Sequence, residues 1–205
     1  WEDDPQYHTP EKRGALSTSL IREQYDLVKR SDPNAVCCTN LYGETMELYQ
    51  QGCLDLPEDV IKIWADNGYG KMVSRRQGNS NPRVRALPPQ GDTGAHGLYY
   101  HASFYDLQAA SHITMLPNST ELVCEELTHA LRCGVDEYLI MNCSYVKHHA
   151  YLLDYICQLW QTGAADPEGH RSAYAQTYYG EPSGLAVAKC LAGYADHAVL
   201  YGEHP

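Results

Sequence analysis

At 205 residues the chain is about a third longer than the ~150 residues typical of one domain, so one domain with an appendage is expected rather than two full ones. Hydrophobic residues at 43 % and charged residues at 20 % match globular usage and exclude disorder or a collagen-like repeat, and no apolar run approaches the ~18 residues of a membrane span. The balance of 15 Lys plus Arg against 26 Asp plus Glu, a net charge of −11, argues against a nucleic-acid backbone as partner, because phosphate neutralisation needs a basic face.

The chain opens at Trp1 without Met and closes at Glu203-His204-Pro205, as expected of an excerpt from a longer protein. Apolar residues at Leu20, Ile21, Leu27 and Val28, between Pro10 and Asp32-Pro33, predict a helix over about residues 15–30. Ala35-Val36-Cys37-Cys38 is a short apolar run ending at Thr39-Asn40, the pattern of a strand covered on both faces. A helical stretch over about 43–51 closes at Gly52, and Val60-Ile61-Lys62-Ile63-Trp64 predicts a second strand ending at Asp66-Asn67. After a long loop, Gly97-Leu98-Tyr99-Tyr100-His101 predicts the third. Pro117-Asn118 with Glu121 three residues on is read as an N-cap pair before Leu122, Val123, Leu127, Ala130 and Leu131, and Gly134 stops that helix. Tyr138-Leu139-Ile140-Met141 predicts a fourth strand ending at Asn142, and Leu152, Ile156, Leu159 and Trp160 mark a helix closed by Gly163. From Ala164 onward only helical spacings recur, broken at Gly180 and Pro182.

Strands separated by helices or long loops imply parallel pairing through crossovers, an α/β fold. Four units amount to half of an eight-fold barrel or to a small open sheet. The expected division is a partial (β/α) barrel over 1–163 and the start of a helical region over 164–205. All four strand-like runs end in polar residues, namely Asn40, Asp66-Asn67, His101 and Asn142, which gathers them at the carboxyl edge where parallel α/β proteins carry their sites.

Three compositional features bear on chemistry. Five of the 15 basic residues (Lys71, Arg75, Arg76, Arg83, Arg85) fall within residues 71–85, with no acid between Asp66 and Asp92. That segment is either a solvated loop or an attractor for a small anionic group, for which the Arg fork is well suited. The eight cysteines include no C-x-x-C and sit in strand- and helix-like segments, so buried free thiols and a reducing compartment are expected, with secretion left open. His148-His149, with no nearby Cys and no HExxH pattern, is a poor metal site, and no metal or cofactor is implied. The 17 Tyr and 3 Trp beside a single Phe suit sugar faces and equally suit half-buried surfaces.

Leu41-Tyr42-Gly43-Glu44, Ile63-Trp64-Ala65-Asp66-Asn67, Gly97-Leu98-Tyr99-Tyr100-His101, and Asn142 followed five residues later by Lys147 together resemble the central region of glycoside hydrolase family 115. The resemblance runs from about residue 20 to the end. It implies the second half of a (β/α)8 TIM-type barrel and the start of a helical C-terminal region, in an enzyme that removes (4-O-methyl)glucuronic acid from xylan with inversion. It carries Tyr42, Asn67 and Lys147 over as substrate-binding positions. The family pattern Trp-x-Asp-Asp-Asn-x-Gly becomes Trp64-Ala65-Asp66-Asn67-Gly68 here, and Asn-Val-Gly-Asp-x-Lys-Pro becomes 142–148 with Tyr145 in place of the acid.

Inverting glycoside hydrolysis needs one carboxylic acid and one carboxylate, typically ~6.5–9.5 Å apart. Asp66 and Glu44 are the available pair. Asp66 follows a strand and either serves catalysis or caps the next loop; Glu44 opens a helix, where the dipole favours its ionised form, and is either catalytic or a supporting surface residue. Asn40 and Asn142 offer both donor and acceptor to sugar hydroxyls. Tyr99 and His101 share one strand face, Tyr100 the other, and the first pair is expected to line the barrel interior. Arg75 or Arg76 is expected to meet a uronate carboxylate. The expected partner is an acidic oligosaccharide; a homodimer of the full-length protein is open. The alternatives are a barrel glycosidase for another uronide or a hexosaminide, and a non-catalytic carbohydrate-binding relative.

Overall fold

The computed structural model describes residues 9–74, 84–103, 116 and 118–197. The described elements, in chain order, are α1 (Pro10–Ser31), β1 (Cys38–Leu41), α2 (Glu44–Gln50), β2 (Ile61–Ala65), β3 (His96–His101), α3 (Thr120–Arg132), β4 (Tyr138–Asn142), α4 (Val146–Thr162), α5 (Pro167–Tyr179) and α6 (Ser183–Asp196). The four strands form one sheet in sequential order, and β1–β2 and β2–β3 pair in parallel, with Cys38 opposite Ile61 and Lys62 opposite His96. The fold is thus α/β with a parallel sheet, as the alternation predicts. The chain divides into two compact units, one made of Trp1–Ala65, Val73–Tyr99 and Cys133–Ile140, the other of Asp66–Met72, Tyr100–Arg132 and Met141–Pro205.

In the first unit every residue of β2 is buried, and Ile63 and Trp64 have no exposed surface. Gly97 shows how tightly β3 is held: a Cβ there would lie 2.6 Å from Ile63 Cδ1 and 2.8 Å from the Tyr138 carbonyl oxygen, so β2 side chain and β4 backbone both close on it. The strand β1 departs from expectation in two ways. It starts at Cys38, and its Cys38 and Asn40 are exposed, because β1 is an edge of this sheet and is not covered on both faces. Helix α1 is longer than the spacing predicts, since Pro10 occupies its first turn and Thr9 Oγ1 accepts the Lys12 N–H at 3.4 Å. Its sole fully buried residue is Gly14, against the Cys53 carbonyl. The apolar set that marks it is largely wet, with Leu20, Leu27 and Val28 at 48, 51 and 43 % exposure. Polar bonds hold it instead: Arg22 to Asp55 at 2.6 Å and Tyr25 to Asp59 at 2.7 Å.

At the amino end of β2 a buried Lys62 donates to Tyr49 Oη at 3.0 Å and to Asp92 Oδ1 at 3.2 Å, and Tyr49 donates to Asp92 Oδ2 at 2.8 Å. Beside it Trp64 Nε1–H donates to His96 Nδ1 at 3.1 Å. A lysine on a wholly buried strand is tolerable only with such partners.

In the second unit α3 buries Val123, Leu127 and Ala130, and α4 buries Tyr155, Ile156 and Leu159. Ser119 caps α3 by accepting the Leu122 N–H at 3.1 Å, where the sequence points to Asn118. Gly163, at φ 73°, ends α4 with its N–H on the Leu159 carbonyl. Asp166 caps α5, accepting from Glu168 and Gly169. Arg171 of α5 reaches Glu121 of α3 at 3.2 Å, and His170 meets Asp154 of α4 at 2.7 Å. No described helix is long and apolar enough to cross a membrane. All eight cysteines are free. The expectation that they are buried is corrected: five are intermediate, and Cys38 on the edge strand β1, Cys157 on α4 and Cys190 on α6 are exposed.

Candidate active site

The segment after β2, Asp66-Asn67-Gly68-Tyr69-Gly70-Lys71-Met72, makes a tight loop that needs positive φ at Gly68 (87°) and Gly70 (86°). Asn67 Oδ1 accepts the N–H groups of Tyr69 (3.0 Å) and Lys71 (3.2 Å), and its own N–H donates to the Lys71 carbonyl at 2.9 Å. Four side chains then pin the loop. Asp66 Oδ2 accepts the Gly70 N–H at 2.8 Å, Tyr100 Oη donates to the Gly70 carbonyl at 2.9 Å, Asn118 Nδ2 donates to the Tyr69 carbonyl at 3.0 Å, and Glu126 Oε2 accepts the Met72 N–H at 2.9 Å. A loop with its polar backbone answered this fully is a fixed platform.

The Asp66 carboxylate has no exposed surface. One oxygen faces Gly70; the other, Oδ1, is bonded to Nδ1 of His101, the last residue of β3. The carboxyl oxygen and the ring nitrogen share one hydrogen, which holds the imidazole in a single orientation. Tyr100 beside it is fully buried, and burial first, then the charges of Asp66 and Glu126, hold its hydroxyl well above the usual tyrosine range, so it stays a neutral donor. Beyond β3 and β4 the backbones stay together: the Asn142 carbonyl accepts the N–H groups of Ala102 (2.9 Å) and Ser103 (3.3 Å), and Ser103 Oγ accepts the Ser144 N–H at 2.8 Å. This arrangement orients one imidazole against a carboxyl group in a dry setting, a geometry that can support proton transfer.

The family model for glycosyl hydrolase family 115 matches residues 2–201. The chain belongs to that family. Its fold is similar to that of a solved structure titled "A novel family GH115 4-O-Methyl-alpha-glucuronidase, BtGH115A, with specificity for decorated arabinogalactans", with a TM-score of 0.71 at 20 % identity. The likeness covers 91 % of this chain and 24 % of that one, so the chain spans about a quarter of that relative's length. No curated protein matches it in sequence.

Within this family member the residues singled out in sequence separate into groups. Asp66, Asn67 and His101 are brought together in the second unit, where Asn67 is the loop's architect through its side-chain oxygen. Asn142 lies at the tip of β4, with its carbonyl on Ala102. Tyr99 is intermediate in exposure on β3. Lys147 is exposed in the first turn of α4. In the first unit Glu44 is ion-paired with Arg13 of α1, while Asn40 is exposed and Tyr42, 45 % exposed, meets Thr45 only through its backbone. Arg75 and Arg76 lie outside the described residues. The residues that sequence reasoning missed are Gly70, Asn118 and Glu126. Glu126 carries a signal, being an acid on the stripe of Thr120, Val123, Leu127 and Ala130 that α3 buries. Asn118 carries none beyond its resemblance to a cap.

Proposed function

We propose that the whole protein is a glycoside hydrolase that releases glucuronic acid or its 4-O-methyl ether from a decorated polysaccharide, and that Asp66 and His101 belong to its active site. The observation that supports this is the buried Asp66–His101 pair at the carboxyl ends of β2 and β3 in a member of glycosyl hydrolase family 115. Asp66 has both oxygens engaged, which suits a positioning residue, with His101 as the group that moves a proton near the glycosidic oxygen or the attacking water. Xylan and inversion are the finer proposals; decorated arabinogalactan, named for the structural relative, is the competing polymer.

The test uses the full-length protein on aldouronic oligosaccharides of both polymer types. Asp66→Asn should cut turnover by ~10²–10⁴ while leaving KM within a few-fold, because the amide presents the wrong partner to the imidazole. The pH profile of the residual rate should change shape, which a purely structural loss would not produce. Retained turnover removes Asp66 from the mechanism. The anomer released first, read by proton NMR, decides between inversion and retention.

Inversion also requires a second proton-transferring group besides His101, usually a carboxyl. Glu44→Gln tests the sequence candidate directly: a ~100-fold loss or more keeps it, and a rate close to wild type assigns that role elsewhere and leaves Glu44 as the partner of Arg13. The basic segment contributes a charge argument only. Arg75→Ala and Arg76→Ala should narrow the preference for a glucuronide over the matching glucoside if either side chain meets the uronate.

A further inference from the structure

Strand β4 lies next to β3 in the sheet, and Tyr145 stands in the segment that leaves its carboxyl end, in the same compact unit as Asp66 and His101. We propose that Tyr145 is a specificity-determining residue of the site, its ring receiving the C–H face of a neutral polymer sugar that flanks the sugar carrying the glucuronyl branch. The inference rests on the reading of Asp66 and His101 as part of a glucuronidase site and adds to it the recognition of the polymer.

The backbone of Tyr145 is fixed from both sides. On one side Ser103, two residues past His101, accepts the Ser144 N–H on its Oγ at 2.8 Å, and the Ser103 N–H reaches the Asn142 carbonyl at 3.3 Å. On the other the Tyr145 carbonyl accepts the His148 N–H at 3.1 Å and lies 2.8 Å from Nδ1 of the buried His149. Tyr145 is therefore tied to the end of β3 through one side-chain hydrogen bond and two residues of chain, which span at most about 7 Å. That spacing sets it beside the Asp66–His101 pair and not at it, where the next sugars of a branched substrate lie.

The ring, by contrast, is left in solvent. Tyr145 is 63 % exposed in spite of its anchored backbone, and its ring meets that of His148 edge to face, with centroids 6.1 Å apart and planes at 76°, a contact that steadies the ring without covering it. A flat apolar surface with a hydroxyl at its rim suits a pyranose, whose C–H groups gather on its faces and whose hydroxyls stand at its edge. With the backbone already held, binding has only one side chain to order. A uronate carboxylate would lose water against such a face and gain no partner, so the occupant is the neutral polymer sugar and not the branch.

The test compares two substrates of the full-length protein that share one glucuronyl linkage, carried on a single polymer sugar in the first and on the middle of three consecutive polymer sugars in the second. Tyr145→Ala should raise KM for the longer substrate about tenfold, the worth of one sugar face removed from water, with kcat within twofold, the mark of binding lost equally from ground and transition states. The shorter substrate should keep both constants within twofold. Tyr145→Phe and Tyr145→Trp, which retain a ring face, should stay within threefold of wild type on the longer one. The unbranched trisaccharide should show saturation transfer from the wild-type protein that Tyr145→Ala loses. No wild-type turnover of either substrate would sink the hydrolase reading and this inference with it. Wild-type turnover with a Tyr145→Ala penalty that is absent, or equal on both substrates, would overturn the assignment of Tyr145 alone, as would loss of the effect in Tyr145→Phe or undiminished saturation transfer in Tyr145→Ala.

Discussion

Gly70 has no room for even a methyl group. Its φ is +86°, and a Cβ there would lie 2.3 Å from Asn118 Nδ2 and 3.0 Å from Tyr100 Oη. Those two side chains and Asp66 all bond to the peptide groups of Tyr69 and Gly70, so Gly70→Ala strains the backbone and displaces the anchors together. It should cost about 1–3 kcal/mol of stability, measured by denaturant unfolding, and lower turnover by more than that loss accounts for at temperatures where the protein stays folded. Gly97 is the purely structural contrast. Its neighbour at 2.8 Å is a backbone carbonyl, which cannot rotate aside, so Gly97→Ala should destabilise by about 1–3 kcal/mol or more while the folded fraction keeps its specific activity. If the two variants behave alike, the loop has no special tie to turnover.

At the scale of elements, the amino end of β2 predicts how stability follows pH. Burial raises the Asp92 carboxyl, but its bonds to Tyr49 and Lys62 outweigh that and leave its pKa below the ordinary value. A group with a depressed folded pKa contributes stability above its unfolded pKa and loses it as pH falls through the folded one. His96 is depressed from 6.5, by burial first and by the Lys62 charge second. The unfolded chain therefore takes up the proton first, and stability declines as pH drops below about 6.5. Urea midpoints across pH should show two acid limbs. His96→Gln should flatten the upper limb, and Asp92→Asn the lower, below about pH 4; a midpoint independent of pH between 7 and 5 would refute the His96 assignment. The same elements show what sequence reading reaches. Strands β2 and β3 and the stops at Gly134 and Gly163 were legible because burial on both faces and positive φ leave plain marks in composition, and β4 was legible as an apolar run although none of its residues is buried. The helix α1 was legible as a helix, but its apolar set misstates its packing, since Leu20 and Leu27 stay half-exposed while Arg22, Tyr25 and Lys29 make the attachments. Periodicity reports which face is apolar and cannot report which face is covered. Of the candidate site, Asp66 and His101 were visible at strand ends; the bond between them was not, because it joins residues 35 apart in sequence.

For the molecule as a whole, eight free thiols define a reactivity order. Cys38, Cys157 and Cys190 are exposed and the other five are intermediate, with the Cys143 thiol raised by burial and so poorer in thiolate. Ellman titration of the native protein should show three fast thiols with Cys143 among the slow, and the remaining five of this chain should appear on denaturation. Peptide mapping that finds Cys143 labelled first would contradict this order. One feature of the site extends to the time domain. Between Asn67 and Met72 five amide hydrogens are bonded, those of Asn67, Tyr69, Gly70, Lys71 and Met72, in a stretch with no helix or strand. In deuterium exchange this loop should behave like the centre of a sheet, protected by orders of magnitude relative to ordinary surface loops. Asp66→Asn should accelerate Gly70 first. If Asp66 and His101 serve the proposed hydrolysis, the wild-type loop holds one shape from one catalytic cycle to the next and the sugar meets a site already assembled.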